Sequence, residues 1–295
     1  MSWRAWIAFT ALCVIWGIPY LLVKLAVAEV SPVCVAWMRV ALGAAILLPV
    51  AWQRGALRSV RAHWAPACAF AFAELIGPFF LIAQGERWVS SSLAGILIAT
   101  MPFLVILLSR LFGLSEALGV RRAVGMVIGF TGVAVLLGIG SVEWPLGWAG
   151  VSCILLATLG YALGSLIVQR YLAGVDELGA VTASLCIATV VLAFPALASL
   201  PPRWPSLSAS VSLLVLGVAC TALALVLYFY LIAQAGAARA AIITYVNPAV
   251  AALLGVTILH EPFGIGSAVG LLAILAGSWL ATSRAGLGQS ESMPA

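Results

Sequence analysis

Three charged side chains stand where charge is costly. Arg39, Glu74 and Lys24 each fall within a long apolar run. On insertion scales an Arg or Asp at the middle of a membrane helix costs about 2.5–3.5 kcal/mol. A guanidinium and a carboxylate in such surroundings suit a central water-filled cavity. There Arg39 can attract the carboxylate of a solute, and Glu74 can meet an ammonium group or take a proton. The competing arrangement is structural: an ion pair between the two, or Arg39 capping helix carbonyls. Arg39 lies about seven residues, roughly 10 Å, into its run, and Glu74 about ten residues into its own. Their depths differ by roughly 8 Å, a gap that a long Arg partly bridges. Lys24 is nearer the end of its run and is expected to snorkel toward the headgroups.

A second group is aromatic and amide. Trp16, Tyr20, Gln84, Thr100, Tyr161, Tyr228, Tyr230, Tyr245 and Asn247 all lie inside apolar runs. An apolar cavity with a few polar handles suits an amphipathic solute. Core packing is the competing role for each ring. Pro102 and Pro248 each free a carbonyl four residues back, at Ile98 and Thr244, so both mark candidate kinks, at which a gate bends or which only ease packing.

Other chemistries lack their residues. Lys24 is the sole lysine among 14 basic side chains, and no glycine loop precedes it, so no nucleotide-binding P-loop is encoded. His63 and His260 have no metal-ligand company, and His260-Glu261-Pro262 breaks the H-E-x-x-H zinc pattern. Six cysteines (13, 34, 68, 153, 186 and 220) lack C-x-x-C spacing and read as small buried hydrophobes. No metal, no cofactor and no enzymatic activity is expected. The net charge of +5 comes from arginines scattered between apolar blocks, so no nucleic-acid partner is expected either.

The elements that must position these groups are membrane helices. Of 295 residues 64% are hydrophobic and 8% charged, and the mean hydropathy is +1.20. A water-facing surface needs far more charge, so lipid is the solvent for most of the chain. Ten apolar runs reach the length of about 20 residues that a bilayer requires. They cover roughly residues 5–25, 32–52, 64–86, 90–111, 121–140, 146–170, 178–198, 210–233, 239–259 and 264–284. The first exceeds a signal-peptide core and contains Trp16, Pro19 and Lys24, so it reads as a retained helix. With the N-terminus inside, Arg4, Arg54, Arg58, Arg61, Arg110, Arg121, Arg122, Arg170, Arg239 and Arg284 face the cytoplasm. Lys24, Arg87 and Arg203 face outward. The excess of arginine places both termini in the cytoplasm.

The chain also repeats itself. Ala94-Gly95-Ile96-Leu97-Ile98-Ala99-Thr100-Met101-Pro102 answers Ala240-Ala241-Ile242-Ile243-Thr244-Tyr245-Val246-Asn247-Pro248. Leu114-Ser115-Glu116 answers Leu259-His260-Glu261, and Gly119, Gly125 and Gly132 answer Gly264, Gly270 and Gly277. An odd number of spans per half makes the halves insert in opposite directions, an inverted repeat. The expected boundaries are 1–143 and 144–285 for the two five-helix halves, with a polar tail at 286–295. Gly125-x-x-x-Gly129, Gly160-x-x-x-Gly164 and Gly266-x-x-x-Gly270 are expected to bring helices close within one chain. Glu116 and Glu261 are expected at the N-terminal ends of the fifth and tenth helices, offsetting their dipoles.

Ten spans in two halves, each with a proline helix and a Leu-x-Glu step into a glycine-rich helix, resemble the EamA-type drug/metabolite transporters. Trp16-Gly17 with Lys24, Arg39, and the segment Glu86-Arg87-Trp88-Val89-Ser90-Ser91-Ser92-Leu93-Ala94 carry the same resemblance, which spans about residues 5–284. The family's Leu-Gly-Glu is Leu-Ser-Glu and Leu-His-Glu here, and Glu74 stands outside the family pattern. The resemblance implies an all-α integral membrane protein that works as a secondary carrier by alternating access. It implies amino-acid export as the first substrate class and efflux of hydrophobic cations as the alternative; a membrane enzyme or channel is the rival outside this class. The expected partners are a small molecule and the lipid bilayer, the expected state is a monomer, and the expected location is a bacterial inner membrane.

Overall fold

A computed structural model describes residues 2–109, 113, 119–138, 146–235 and 243–282. Among these residues every regular element is a helix. The Leu114-Ser115-Glu116 step, Arg110, Arg239, Arg284 and the polar tail lie outside them. Among the described residues nine helical segments are long and apolar enough to cross a membrane, and a shorter apolar helix, Ile243–Ile258, fills the ninth of the ten expected places. The protein is a multi-pass, all-α membrane protein built as a five-plus-five inverted repeat.

Several spans are broken where the sequence forbids a continuous helix. The first comprises α1 (Trp3–Ile15) and α2 (Pro19–Val27). Pro19 has no N–H to give the carbonyl of Ile15, so the ladder cannot run through. The second is α3 (Pro32–Gln53), opened by Ser31, whose side chain accepts from the backbone of Cys34. The third runs through α4 (Trp64–Phe70), a π segment (Ala71–Ile76) and α5 (Gly77–Gly85). The fourth splits into α6 (Ser91–Ile98) and α7 (Met101–Ser109). Pro102 thus stands at the start of a new helix rather than inside a kinked one. The fifth is α8 (Val120–Gly138).

The second half follows the same order. Its spans begin with α9 (Leu146–Tyr171) and α10 (Glu177–Leu197). Then come α11 (Leu207–Gly217), a second π segment (Val218–Leu223) and α12 (Ala224–Ala235). The last are α13 (Ile243–Ile258), which keeps Pro248 inside it, and α14 (Ile265–Thr282). The two π segments begin 147 residues apart, at Ala71 and Val218.

Helix pairing carries the symmetry. α3 packs on α10, α6 on α13 and α8 on α14, each span against its counterpart in the other half. α1 packs on α12, and α5 on α9, which are the same pairing with the halves exchanged. A two-fold relation between the halves demands this pattern. Small residues make the contacts close. A methyl added at Gly125 would lie 2.7 Å from the backbone of Gly277 and Ala281. One at Gly132 would lie 3.0 Å from the Gly270 carbonyl. Gly160 and Gly164 bring α9 against the third span, at Ala73, Pro78 and Glu74. The expected close approach through glycines therefore occurs within the chain. All six cysteines are free.

Candidate functional site

A cavity of about 550 Å³ lies between the halves. Most helices of the bundle contribute to it. Trp16, Tyr20, Phe79, Tyr161, Tyr228 and Phe229 form aromatic walls, and Ser165, Thr221, Thr244 and Asn247 add polar groups. Arg39, Glu74 and Glu177 are its charged lining residues. It extends to Leu172, Val175 and Glu177, at the junction of α9 and α10. By alternation of the spans this is the side of the chain termini.

The π segments put two of these residues in place. A π turn adds one residue to a helical turn and so rotates everything beyond it. Glu74 is the fourth residue of the first segment and Thr221 the fourth of the second. Both line the cavity. Symmetry-related positions thus carry a carboxylic acid in one half and a hydroxyl in the other.

Arg39 is held by both halves. Its Nε donates to Thr221 Oγ1 at 3.1 Å, and its guanidinium carbon sits 3.8 Å from the centre of the Phe79 ring. A desolvated cation over an aromatic face gains about 2 kcal/mol. Thr221 Oγ1 in turn donates to the Leu216 carbonyl at 2.9 Å, so its lone pairs are aimed at Arg39. Gly43, one turn from Arg39, admits the Thr221 methyl: a side chain there would meet it at 2.9 Å.

Glu74 is not paired with Arg39. Its Oε2 is buried without a hydrogen-bond partner. The carboxyl packs on Gly164 of α9, where any side chain would overlap it. The structural ion pair is therefore absent. The two charges are separately supported in one cavity, although the sequence spacing allowed them to meet.

Asn247 closes the break in the first span. With its amide turned so that nitrogen faces the carbonyls, Nδ2 donates to Ile243 O at 3.0 Å and to Cys13 O at 3.3 Å. The Cys13 carbonyl is free because the Gly17 N–H turns to Val14 instead, at 3.0 Å. Gly17 itself abuts Val250 and the Asn247 carbonyl.

Of the residues that the sequence singles out, Trp16, Tyr20, Arg39, Glu74, Tyr161, Tyr228 and Asn247 line this cavity. Gln84, Thr100 and Tyr245 lie elsewhere. Thr100 is buried at the break in the fourth span, where its Oγ1 donates to Leu97 O at 2.7 Å. Tyr245 ties α13 to α14 through the Thr282 hydroxyl. Gln84 is half-buried near the end of α5. Pro102 and Pro248 are also outside the lining, though their neighbours Met101 and Asn247 belong to it. Thr221, Phe79, Ser165 and Glu177 were not singled out. Nothing in an apolar run marks one Thr or Phe above the others, because the π shift that aims Thr221 inward has no composition of its own.

A polar cap lies toward the opposite ends of the spans. Lys24 does not snorkel. Its Nζ donates to the carbonyls of Glu86 at 2.5 Å and Val89 at 2.7 Å, and so caps the end of α5. Glu261 does not serve its own helix. Its carboxylate accepts from Ser91 N at 2.6 Å, Ser92 N at 2.9 Å and Ser92 Oγ at 2.5 Å, at the N-terminus of α6. The acid of one half thus caps the fourth span of the other.

The model of the EamA-like transporter family matches residues 3–138 and again residues 148–283. An uncharacterized inner membrane transporter of Escherichia coli strain K12, YedA, is 30% identical over 257 residues, covering 84% of this chain and 80% of its own. An uncharacterized transporter of Bacillus subtilis strain 168, YvbV, is 26% identical over 272 residues, covering 90% of this chain and 87% of its own. A solved crystal structure that is 20% identical superposes with a TM-score of 0.67, covering 96% of this chain and 97% of the other, which supports the fold alone. The chain belongs to the EamA-like transporter family.

Proposed function

We propose that the protein exports amino acids with apolar side chains by alternating access. The observation that carries this reading is the unpaired opposite charge in one aromatic cavity. The guanidinium of Arg39 binds the α-carboxylate, and Glu74 receives the α-ammonium. The rings of Trp16, Tyr20, Tyr161 and Tyr228 take the side chain. Neither charged group needs to leave a protein partner ion to do so. The cavity volume lies within the range of about 300–1,000 Å³ of small-molecule sites. Rocking of the halves about the site exposes it to each side in turn.

The protein acts as a monomer in a bacterial inner membrane, with both termini in the cytoplasm. The arginine-rich loops support that orientation, and the cavity then opens inward, as a loading site for export must. Efflux of hydrophobic cations is the second reading. Glu74 and the aromatic walls favour it, whereas Arg39 repels such a solute.

Counterflow in liposomes tests both. Vesicles loaded with unlabelled phenylalanine are expected to draw in tritiated phenylalanine transiently and saturably. Tetraphenylphosphonium is expected to give no counterflow. Counterflow of the phosphonium without phenylalanine would favour the second reading; linear, unsaturable flux of either would indicate a channel.

A further inference from the structure

Glu86 gives the cap its carbonyl, but its carboxyl makes none of the cap's contacts. It follows α5 directly and is 0% exposed, yet neither carboxylate oxygen has a hydrogen-bond partner. A buried ionised carboxylate needs donors or a close cation, and without them the charged form is disfavoured.

Its surroundings are specific. Lys24 acts on it from α2, but its hydrogen bonds go to the backbone carbonyls of Glu86 and Val89. Glu261, a second acid acting on Glu86, is already satisfied by the N-terminus of α6. Arg39 acts on it from α3 but is engaged with Thr221 and Phe79. Tyr20 of α2 is a further ionisable neighbour and lines the cavity. From α9, Gly150 and Ile154 pack on Gly85 and bring no charge. Arg87, next in the chain, lies by the Trp88 ring at 5.9 Å.

We propose that Glu86 is a proton-binding site of the transport cycle, set between the cavity floor and the polar cap. A proton is the cation that suits it, because it neutralises the carboxyl without needing a coordination shell, beside an ammonium that repels metal ions. In the conformation with the cap closed the carboxyl carries its proton. When the cap parts, with Glu261 leaving the α6 N-terminus, water reaches Glu86 and the Lys24 ammonium is freed to pair with it. The carboxyl then gives its proton to that water. Proton occupancy thereby follows the state of the cap, and a pH difference drives the solute.

This inference rests on the carrier reading, so its test has one arm that needs no solute. Infrared difference spectra of the purified protein at neutral pH are expected to show a protonated-carboxyl band that Glu86→Gln removes and Glu74→Gln leaves. The second arm uses liposomes at zero membrane potential with tritiated phenylalanine. A pH difference is expected to displace the wild-type distribution by about tenfold per pH unit for one proton per solute. Accumulation on the acid side marks exchange; on the alkaline side it marks cotransport. Glu86→Gln is expected to abolish the displacement while equal-pH counterflow continues. Absence of the infrared band, or full displacement in Glu86→Gln, overturns the proposal. Equal-pH counterflow failing in the wild type would instead count against the carrier reading, and the infrared result would still stand. If Glu86→Gln fails to fold, Glu86→Asp keeps the acid, and its pH profile of exchange must shift; an unshifted profile overturns the proposal equally.

Discussion

Removing Glu74 and Arg39 singly and together separates a ligand-binding pair from a structural one. A buried ion pair that loses one partner leaves a lone charge, at a cost of about 3–5 kcal/mol. Glu74→Gln and Arg39→Gln would then each unfold easily, and the double variant would recover. The structure points the other way. Glu74 accepts no hydrogen bond at Oε2, and Arg39 is held by Thr221 and Phe79. Glu74→Gln should therefore change stability by about 1 kcal/mol or less, as expected when no native partner is lost. Arg39→Gln forfeits the cation–ring contact, worth about 2 kcal/mol. The two effects should add to within about 0.5 kcal/mol. Binding should respond differently. Each variant removes one charge-assisted hydrogen bond to a bound amino acid, worth about 1.5–3 kcal/mol, or roughly 10- to 150-fold in Kd. Unfolding by SDS in mixed micelles measures the first quantity and calorimetric titration of phenylalanine the second. A stability coupling near 3 kcal/mol, with both single variants unstable and the double restored, would refute the reasoning and make the pair structural.

Further outcomes follow from packing, topology and charge. Gly164→Ala should cut phenylalanine uptake at least about tenfold, since its methyl displaces the Glu74 carboxyl and a lost charged contact is worth that much; Gly125→Ala, facing backbone at 2.7 Å, should instead lower stability by about 1–3 kcal/mol. In intact cells, a cysteine replacing Arg203 should react with an impermeant maleimide and one replacing Arg58 should not; the reverse pattern would invert the orientation. Glu29 lies between the first two spans, and hydrogen bonds from the Ser206 hydroxyl and N–H hold its carboxyl below the ordinary value of 4.5. Its stabilisation is present above that value and lost as pH falls through the lower folded value. Wild-type melting should therefore decline on acidification relative to Glu29→Gln, and parallel melting curves of the two proteins would contradict this.

Much of the architecture was legible because a bilayer tolerates few alternatives. Run length gives the spans, and the recurrence of Pro102 and Pro248 with the glycines gives the two halves. Pro49 and Pro195, inside α3 and α10, extend that correspondence. Side-chain assignment was less legible. Helical rise placed Arg39 and Glu74 at different depths but could not say which way each faced. Direction depends on the π segments, whose extra residue rotates the turn and leaves no mark in an Ala-Phe-Ala-Glu-Leu-Ile run. The same limit explains Tyr245, which looks like a cavity residue by depth and instead faces α14.

Lys24 and Glu261 show the complementary limit. From their own helices alone, one reads as a snorkelling cation and the other as a cap for the helix it precedes. Each instead satisfies backbone groups of another span, Lys24 the carbonyls at the end of α5 and Glu261 the N–H groups at the start of α6. Helix ends carry orphan donors and acceptors that hydrocarbon cannot satisfy. An inverted repeat brings several such ends together on one side of the membrane. Charged residues placed there close the bundle by serving whichever end is nearest in space. The repeat therefore builds the scaffold, and departures from symmetry build the site. Glu74 against Thr221 sets the charge of the cavity, and the proton-bearing Glu86 we propose sits where the cap of one half meets the floor of the other.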